Sequence, residues 1–178
     1  TDTGGGLTIT GAITGGTTTN AVSITTAGGT LDLGSNGITA NQVSLQGAGV
    51  SQAGGTVDAG AGTITVNGGG GAIAMSGTLQ TTNNSASAVT LRNATTVALP
   101  NVTAAAGTLV IGVGQDVAGA VTQTATKVLN VDTVTASTAN SIDLSTGAGA
   151  NTIANLGAVT RGGALTVNDT AGGLTITG

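Results

Sequence analysis

The sequence predicts an all-β fold, a parallel β-helix in which one solenoid forms coils of about 20 residues. Three observations favour this fold. Short segments of alternating apolar and polar residues recur along the whole chain, and their spacings cluster near two values. The composition supplies many small aliphatic residues but no aromatic ones. Strict alternation with β-branched residues is typical of strands, because successive side chains on a strand point to opposite faces.

The recurring segment reads glycine, small residue, apolar, any residue, apolar. It occurs as GGLTITG at 5–11, GTITVNG at 62–68, GTLVIG at 107–112 and GALTVN at 163–168. One face of each predicted strand must then be apolar and point into the solenoid. The residues that we expect to point inward are Leu7, Ile9, Ile64, Val66, Leu109, Ile111, Leu165 and Val167.

The spacing of the apolar pairs indicates how the strands are arranged. Neighbouring pairs are 8 or 9 residues apart, and larger steps recur near 20, as from Val22 to Val43 and from Leu109 to Leu129. A short strand and a corner fill each small step, so two or three steps make one coil with two or three sheet faces. At that length, about eight coils fit into 167 residues.

The segments between the strands carry corner residues. Glycine and asparagine suit the positive φ angles of tight turns, and the glycine run at 68–71 predicts such a corner. Residues 80–88 and 145–151 are predicted as loops. Pro100 is expected to end a strand, because proline cannot donate to a sheet ladder.

The two ends of the chain carry almost the same sequence. Residues 1–11 and 168–178 are identical at nine of eleven positions and lie 167 residues apart. We therefore predict that 1–178 is a single continuous solenoid segment, in which 1–167 is one unit of a tandem array and 168–178 begins the next unit. The repeat favours a fragment of a longer chain.

The composition excludes several classes of partner. Charged residues make up 6% of the chain, against about 25% in a typical domain. The three cations, Arg92, Lys127 and Arg161, are too few for a basic patch, so nucleic acid is not an expected partner. No apolar run approaches the length of about 18 residues that a membrane helix needs, so membrane insertion is not expected.

The sequence predicts no enzyme, no cofactor and no catalytic, cofactor-binding or metal-binding residue. General acid–base chemistry needs clustered titratable groups, whereas the seven aspartates are scattered and His, Cys and Tyr are absent. Asp32 and Asp58 occupy the same slot of the local motif and could lie on one face, yet we interpret them as solvated outward residues. Thr-x-Thr pairs such as Thr63 and Thr65 do not recur once per coil, which disfavours an ice-binding ladder.

Several runs resemble the β-helical repeats of filamentous-haemagglutinin-type exoproteins: ANTIANLGAVTRGGALTVND at 150–169 and GGALTVNDTAGGLTITG at 162–178. The stretch at 5–34 is also similar to the β-strand repeats of autotransporter passenger domains. This resemblance covers most of the chain and lies in short motifs of Gly, Thr and Val. It implies a right-handed parallel β-helix on the outer surface of a Gram-negative bacterium, and it supplies no catalytic motif.

The expected function is therefore structural, as a shaft segment of a large secreted bacterial adhesin or extracellular fibre. The alternative is a subunit of a self-assembling filament or sheath, built by end-to-end or lateral stacking. A solenoid that binds or cleaves polysaccharide is a third possibility, disfavoured by the lack of aromatic platforms. The expected partners are neighbouring copies of the repeat and surface glycans or proteins. The sequence leaves open handedness, ligand, and whether the array is covalent.

Overall fold

The computed structural model describes residues 1–145, 147, 151–170 and 173–178, with only the backbone described at Thr17. Every regular element among them is a strand, so the chain is all-β as the alternation predicts. The strands are β1 (Leu7–Thr8), β2 (Ile13–Thr25), β3 (Leu31–Asp32), β4 (Ile38–Gln46), β5 (Val50–Gln52), β6 (Thr56–Asp58), β7 (Ile64–Asn67), β8 (Ile73–Met75), β9 (Thr78–Gln80), β10 (Val89–Arg92), β11 (Val97–Leu99), β12 (Asn101–Ile111), β13 (Val121–Gln123), β14 (Leu129–Ser137), β15 (Ile142–Leu144), β16 (Thr152–Thr160), β17 (Leu165–Val167) and β18 (Thr175–Ile176).

These strands form two parallel sheets that run along the solenoid. One sheet has eight strands in the order β1-β3-β5-β8-β11-β13-β15-β17, and we call it face A. The other sheet has ten strands and divides lengthwise. Strand β4, for example, pairs with β6 through Ile38 and Thr39 and with β7 through Val43 and the residues after it. We call the two halves of this sheet face B and face C.

Each coil passes through face A, then face B, then face C. Face B consists of β6, β9 and the first halves of β2, β4, β12, β14 and β16. Face C consists of β7, β10, β18 and the second halves of the same long strands. The register within the long strands shifts where one face meets the next, as between Ala104 and Thr108.

The predicted β-solenoid is confirmed. Its coils contain about 23 residues and make about 7 turns, so they are slightly longer and slightly fewer than the sequence predicts. Among the described residues, the coils from β1 to β16 use three faces, and the corners are longer than the spacings of single strand pairs suggest. The corner from β12 to β13, for example, spans residues 112–120. With about 4.8 Å between stacked strands, the whole solenoid rises roughly 34 Å.

The core is a narrow column of aliphatic side chains enclosed by the three faces. All eight residues predicted to point inward belong to it or pack against it. Ile64, Val66, Leu109 and Ile111 are fully buried. The four at the chain ends, Leu7, Ile9, Leu165 and Val167, are only partly buried. The small side chains of Val, Ile, Leu and Ala suit a column this narrow, and no aromatic ring is available to widen it.

The predicted corners and loops are largely confirmed. The glycine run forms the turn between β7 and β8, with Gly69 and Gly70 at positive φ. Residues 81–88 connect β9 to β10, and Pro100 separates β11 from β12. Of the predicted loop at 145–151, residues 146 and 148–150 lie outside the described residues. Asn151 is not a loop residue, because it is buried and forms a parallel bridge with Asp169.

Candidate functional site

The aspartates are bound into the corners of the solenoid. The backbone N–H of Gly34 donates to Oδ1 of Asp32 at 3.0 Å, and that of Gly60 donates to Oδ1 of Asp58 at 2.8 Å. Both glycines have positive φ, 56° and 54°, so the two segments make the same turn. A side chain that accepts from the N–H two residues later is the Asx turn. The shared sequence slot therefore reflects a shared corner.

Asp32 and Asp58 do not lie on one face, which their shared sequence slot had left as a possibility. Asp32 ends β3 on face A, and Asp58 ends β6 on face B. A local motif specifies the turn that it makes, but the face depends on how many residues separate it from the other corners. The two carboxylates cannot act as a pair in acid–base chemistry from separate sheets.

Asp32 is also the acceptor of a bond between coils. The hydroxyl of Ser51, its neighbour in the next coil, donates to Oδ1 at 2.8 Å. The N–H of Gly34, and after it this hydroxyl, lower the pKa of Asp32, and burial opposes them only partly. The carboxylate is held in its charged form by the scaffold, which makes it a poor proton donor.

The remaining aspartates have partners of similar kind. Oδ2 of Asp116 is 3.1 Å from Nε of Arg92 in the preceding coil, and its Oδ1 accepts from the N–H of Val113. The N–H of Ile153 donates to Asp169 at 3.0 Å. Asp2, Asp132 and Asp143 also accept hydrogen bonds from nearby groups. In the described part of the chain, no three acidic side chains gather where they could hold a metal ion.

The threonine pairs do not stack into a continuous row. On face C, Thr65 lies between Ser44 and Thr90, but Val110 follows Thr90 in the next coil. Thr63 lies beside Gln42. The outer surface of face C therefore alternates between hydroxyl, amide and aliphatic groups. A regular array of Thr-x-Thr pairs, which an ice-binding face would need, is not what these residues build.

The outer surface of the described residues includes several shallow depressions. One of about 400 Å³ lies at the corner between faces A and B and is lined by Thr56, Ser76, Thr78, Asn101 and Lys127 among others. A second, about 260 Å³, lies beside the corner at 112–114 and is mostly apolar. A third, about 150 Å³, lies near Ile153. Lys127 is the one titratable side chain among the residues lining these depressions.

A pair of buried amides, which sequence reasoning missed, closes the corner between faces A and B. Asn151 and Gln123 exchange two hydrogen bonds of 2.7 and 3.1 Å. Oδ1 of Asn151 also accepts from the N–H of Leu129, and its Nδ2 donates to the carbonyls of Leu144 and Asn168. A buried amide with all its groups bonded fixes the register of the coils around it. The signal in the sequence is a glutamine at an inward position of an alternating strand.

Gln52 occupies the place in its coil that Gln123 occupies later. Each is the last residue of its face A strand, and each donates to a carbonyl of the following corner, Gly55 at 3.4 Å and Lys127 at 2.6 Å. Gln52 has no asparagine opposite it. Its buried Oε1 consequently lacks a hydrogen-bonding partner among the described protein atoms.

The two ends of the solenoid expose open parallel edges. Within the described residues, β1, β2, β17 and β18 each pair with a neighbouring strand on one side only. Ile176 of β18 is 64% exposed. An open edge presents unpaired N–H and C=O groups together with aliphatic side chains, and such an edge favours pairing with another strand.

The described residues include no helix with the length and hydropathy needed to cross a membrane. Comparisons with protein-family models, with curated proteins and with solved structures each found no match to this chain.

Proposed function

We propose that this chain is a structural shaft segment of a large secreted bacterial surface adhesin or extracellular fibre, and that it is not an enzyme. Its task would be mechanical. A continuous ladder of parallel strands gives length and stiffness without a cofactor, because each coil is held by hydrogen bonds to both neighbours. The shaft would project a binding tip from the bacterial cell surface or link cells in a matrix.

The observation that carries this proposal is the unbroken ladder of face A. Its eight strands pair in order from β1 to β17, with every pairing parallel. The aspartates support the same view, because each accepts a hydrogen bond from a nearby backbone N–H or hydroxyl group of the scaffold. The partners in this proposal are neighbouring copies of the repeat, with surface glycans or proteins as possible ligands of the whole molecule.

The denatured mass of the native polypeptide from its source tests the proposal. A covalent tandem array predicts a mass many times the 16.4 kDa of this segment. Electron microscopy of the same material should show stiff rods whose length grows with the number of repeats. A native mass close to that of the segment would overturn the covalent shaft.

The alternative is a subunit of a self-assembling extracellular filament or sheath, built by end-to-end or lateral stacking of separate copies. Both ends expose parallel strand edges and partly buried aliphatic residues such as Leu7 and Leu165. Separate copies could stack through these edges end to end. A small native mass together with long filaments would establish this alternative, and dilution should then shorten the filaments, because a non-covalent contact depends on concentration.

A further inference from the structure

The motif repeated at 1–11 and 168–178 lies on different faces in its two copies. In the first copy, β1 lies on face A and pairs with β3 in the following coil. In the second copy, β18 lies on face C and pairs with β16 around Leu156 in the preceding coil. One short sequence therefore builds a strand on two faces of the same solenoid.

The second copy cannot return to face A because that place is already taken. Strand β17 occupies face A of the last coil, where Leu165 pairs with Ile142. Leu174, the counterpart of Leu7, follows Leu165 by nine residues. Neighbouring strands on one face are much further apart in the chain, as Leu7 is from its partner Leu31. Nine residues carry the chain around part of a coil only.

The two copies of the motif form backbone hydrogen bonds with coils on opposite sides. In the first copy, the N–H groups of Leu7 and Ile9 donate to the following coil at 3.1 and 2.8 Å. In the second copy, the N–H of Thr177, the counterpart of Thr10, donates to Leu156 in the preceding coil at 2.9 Å. In an interior strand of a parallel sheet, alternate residues form their backbone hydrogen bonds with the strand on one side and with the strand on the other side. The bonds of the two copies, taken together, therefore match a strand that has a coil on each side.

The side chains of the second copy are more exposed than those of the first copy, because no following coil covers them within residues 1–178. Ile176 is 64% exposed, whereas its counterpart Ile9 packs against the core because the second coil lies over it. In a continuing array, β18 is the strand β1 of the next copy. The strand β3 of that copy would then pair with β18 as β3 pairs with β1 here, and it would cover Ile176. The edge formed by β17 and β18 therefore fits one partner, the next copy of the same repeat.

We infer that each repeat of the array begins two faces further along the coil than the repeat before it, so that strands on face A in one copy lie on face C in the next. This inference rests on the covalent array under the proposed function. The unit then spans a whole number of coils plus two of the three faces. A given residue therefore lies on a different face in each of three successive copies, and it lies on its first face again in the fourth copy. Successive copies present that residue in different directions around the shaft.

Engineered disulfides test the shift, because the chain has no cysteine of its own. The expected pair is Asn155→Cys with Thr175→Cys, which are neighbours on face C. The control pair is Asp143→Cys with Thr175→Cys. It would link only if the repeat began on face A again, with β18 beside β15 in the place that β17 occupies. Ala98→Cys with Thr122→Cys, neighbours within face A, is the reference pair. Paired positions in adjacent strands lie within the Cα separation that a disulfide spans.

The pairs should be made in the 178-residue chain and in a chain extended by a second copy of residues 12–178, then oxidised mildly and mapped by mass spectrometry. We expect the face C pair to link as completely as the reference pair and the control pair to stay reduced. Linking of the control pair overturns the inference, as does failure of both pairs while the reference pair links. Neither result depends on the native mass, which tests the array itself.

Discussion

The middle and the ends of this solenoid carry the same motif but bury it differently. GTITVNG at 62–68 lies in the third coil, and its Ile64 and Val66 are fully buried. GGLTITG at 5–11 lies in the first coil, and its Leu7 and Ile9 are only partly buried. The alternation of each segment is equally strict. Burial therefore comes from the coils above and below a strand, and stability in such a fold accumulates along the axis.

The largest expected difference between middle and end is the cost of a buried charge. Ile111→Asp places a carboxylate in the fully buried column, and we expect it to lower the free energy of unfolding by about 3–5 kcal/mol. Ile9→Asp should cost much less, because water reaches the first coil. Urea unfolding followed by far-UV circular dichroism measures both, since the chain has no aromatic fluorophore. Unchanged stability of Ile111→Asp would show that its side chain does not point inward.

A second difference lies in the corners, where coils approach closely. A Cβ at Gly62 would overlap the carbonyl oxygen of Asn41 in the preceding coil, whereas one at Gly11 meets nothing within 4 Å. We expect Gly62→Ala to cost about 1–3 kcal/mol, because the coils must separate to admit the methyl group. Gly11→Ala is the matched control and should leave the urea midpoint nearly unchanged. Equal midpoints for the two variants would contradict the close stacking.

The two buried glutamines give a smaller and more specific comparison. Gln123→Leu leaves Asn151 without its amide partner, so we expect a loss of about 1–3 kcal/mol. Gln52→Leu removes an oxygen that has no protein partner, and the carbonyl of Gly55 keeps its bond from the N–H of Thr78. This variant should be neutral or more stable in thermal unfolding. A larger loss for Gln52→Leu than for Gln123→Leu would refute the amide pairing.

The smallest effect concerns the pH dependence at Asp32. Its pKa is lower in the folded chain, mainly through the N–H of Gly34, so the carboxylate stabilises the fold above its unfolded pKa of about 3.9. This contribution is lost as the pH falls through the folded pKa. Asp32→Asn cannot titrate, so its urea midpoint should decline less steeply than that of the parent below about pH 4. Ser51→Ala should weaken the dependence in part, and parallel curves for all three proteins would exclude a role for Asp32.

Much of the fold follows from local patterns. Each glycine-flanked apolar pair quoted for the motif lies in a strand or at its edge, and the strand break at Pro100 follows from the chemistry of proline. The predicted coil length fell short because the spacings of clear apolar pairs miss long corners such as 112–120. Strands without such a pair, β6 and β9 among them, have one apolar residue each and a weak signal.

The candidate sites were less accessible to sequence reasoning. Asp32 and Asp58 share a slot of the sequence motif and make the same turn, yet they lie on separate faces. The buried pair of Gln123 and Asn151 joins residues 28 positions apart, and half of it fell in a predicted loop. Which residues meet across 28 positions depends on the combined length of all the corners between them. A short sequence pattern does not specify that combined length.

The sequence by itself determined the all-β class, the positions of most strands and which side of each strand is apolar. These properties depend on a period of two residues, which any short segment displays. Only the tertiary structure decided the face on which a strand lies, the length of a coil and the depth at which a side chain is buried. They depend on stacking between coils, so GGLTITG can form a strand on face A at one end of the chain and on face C at the other.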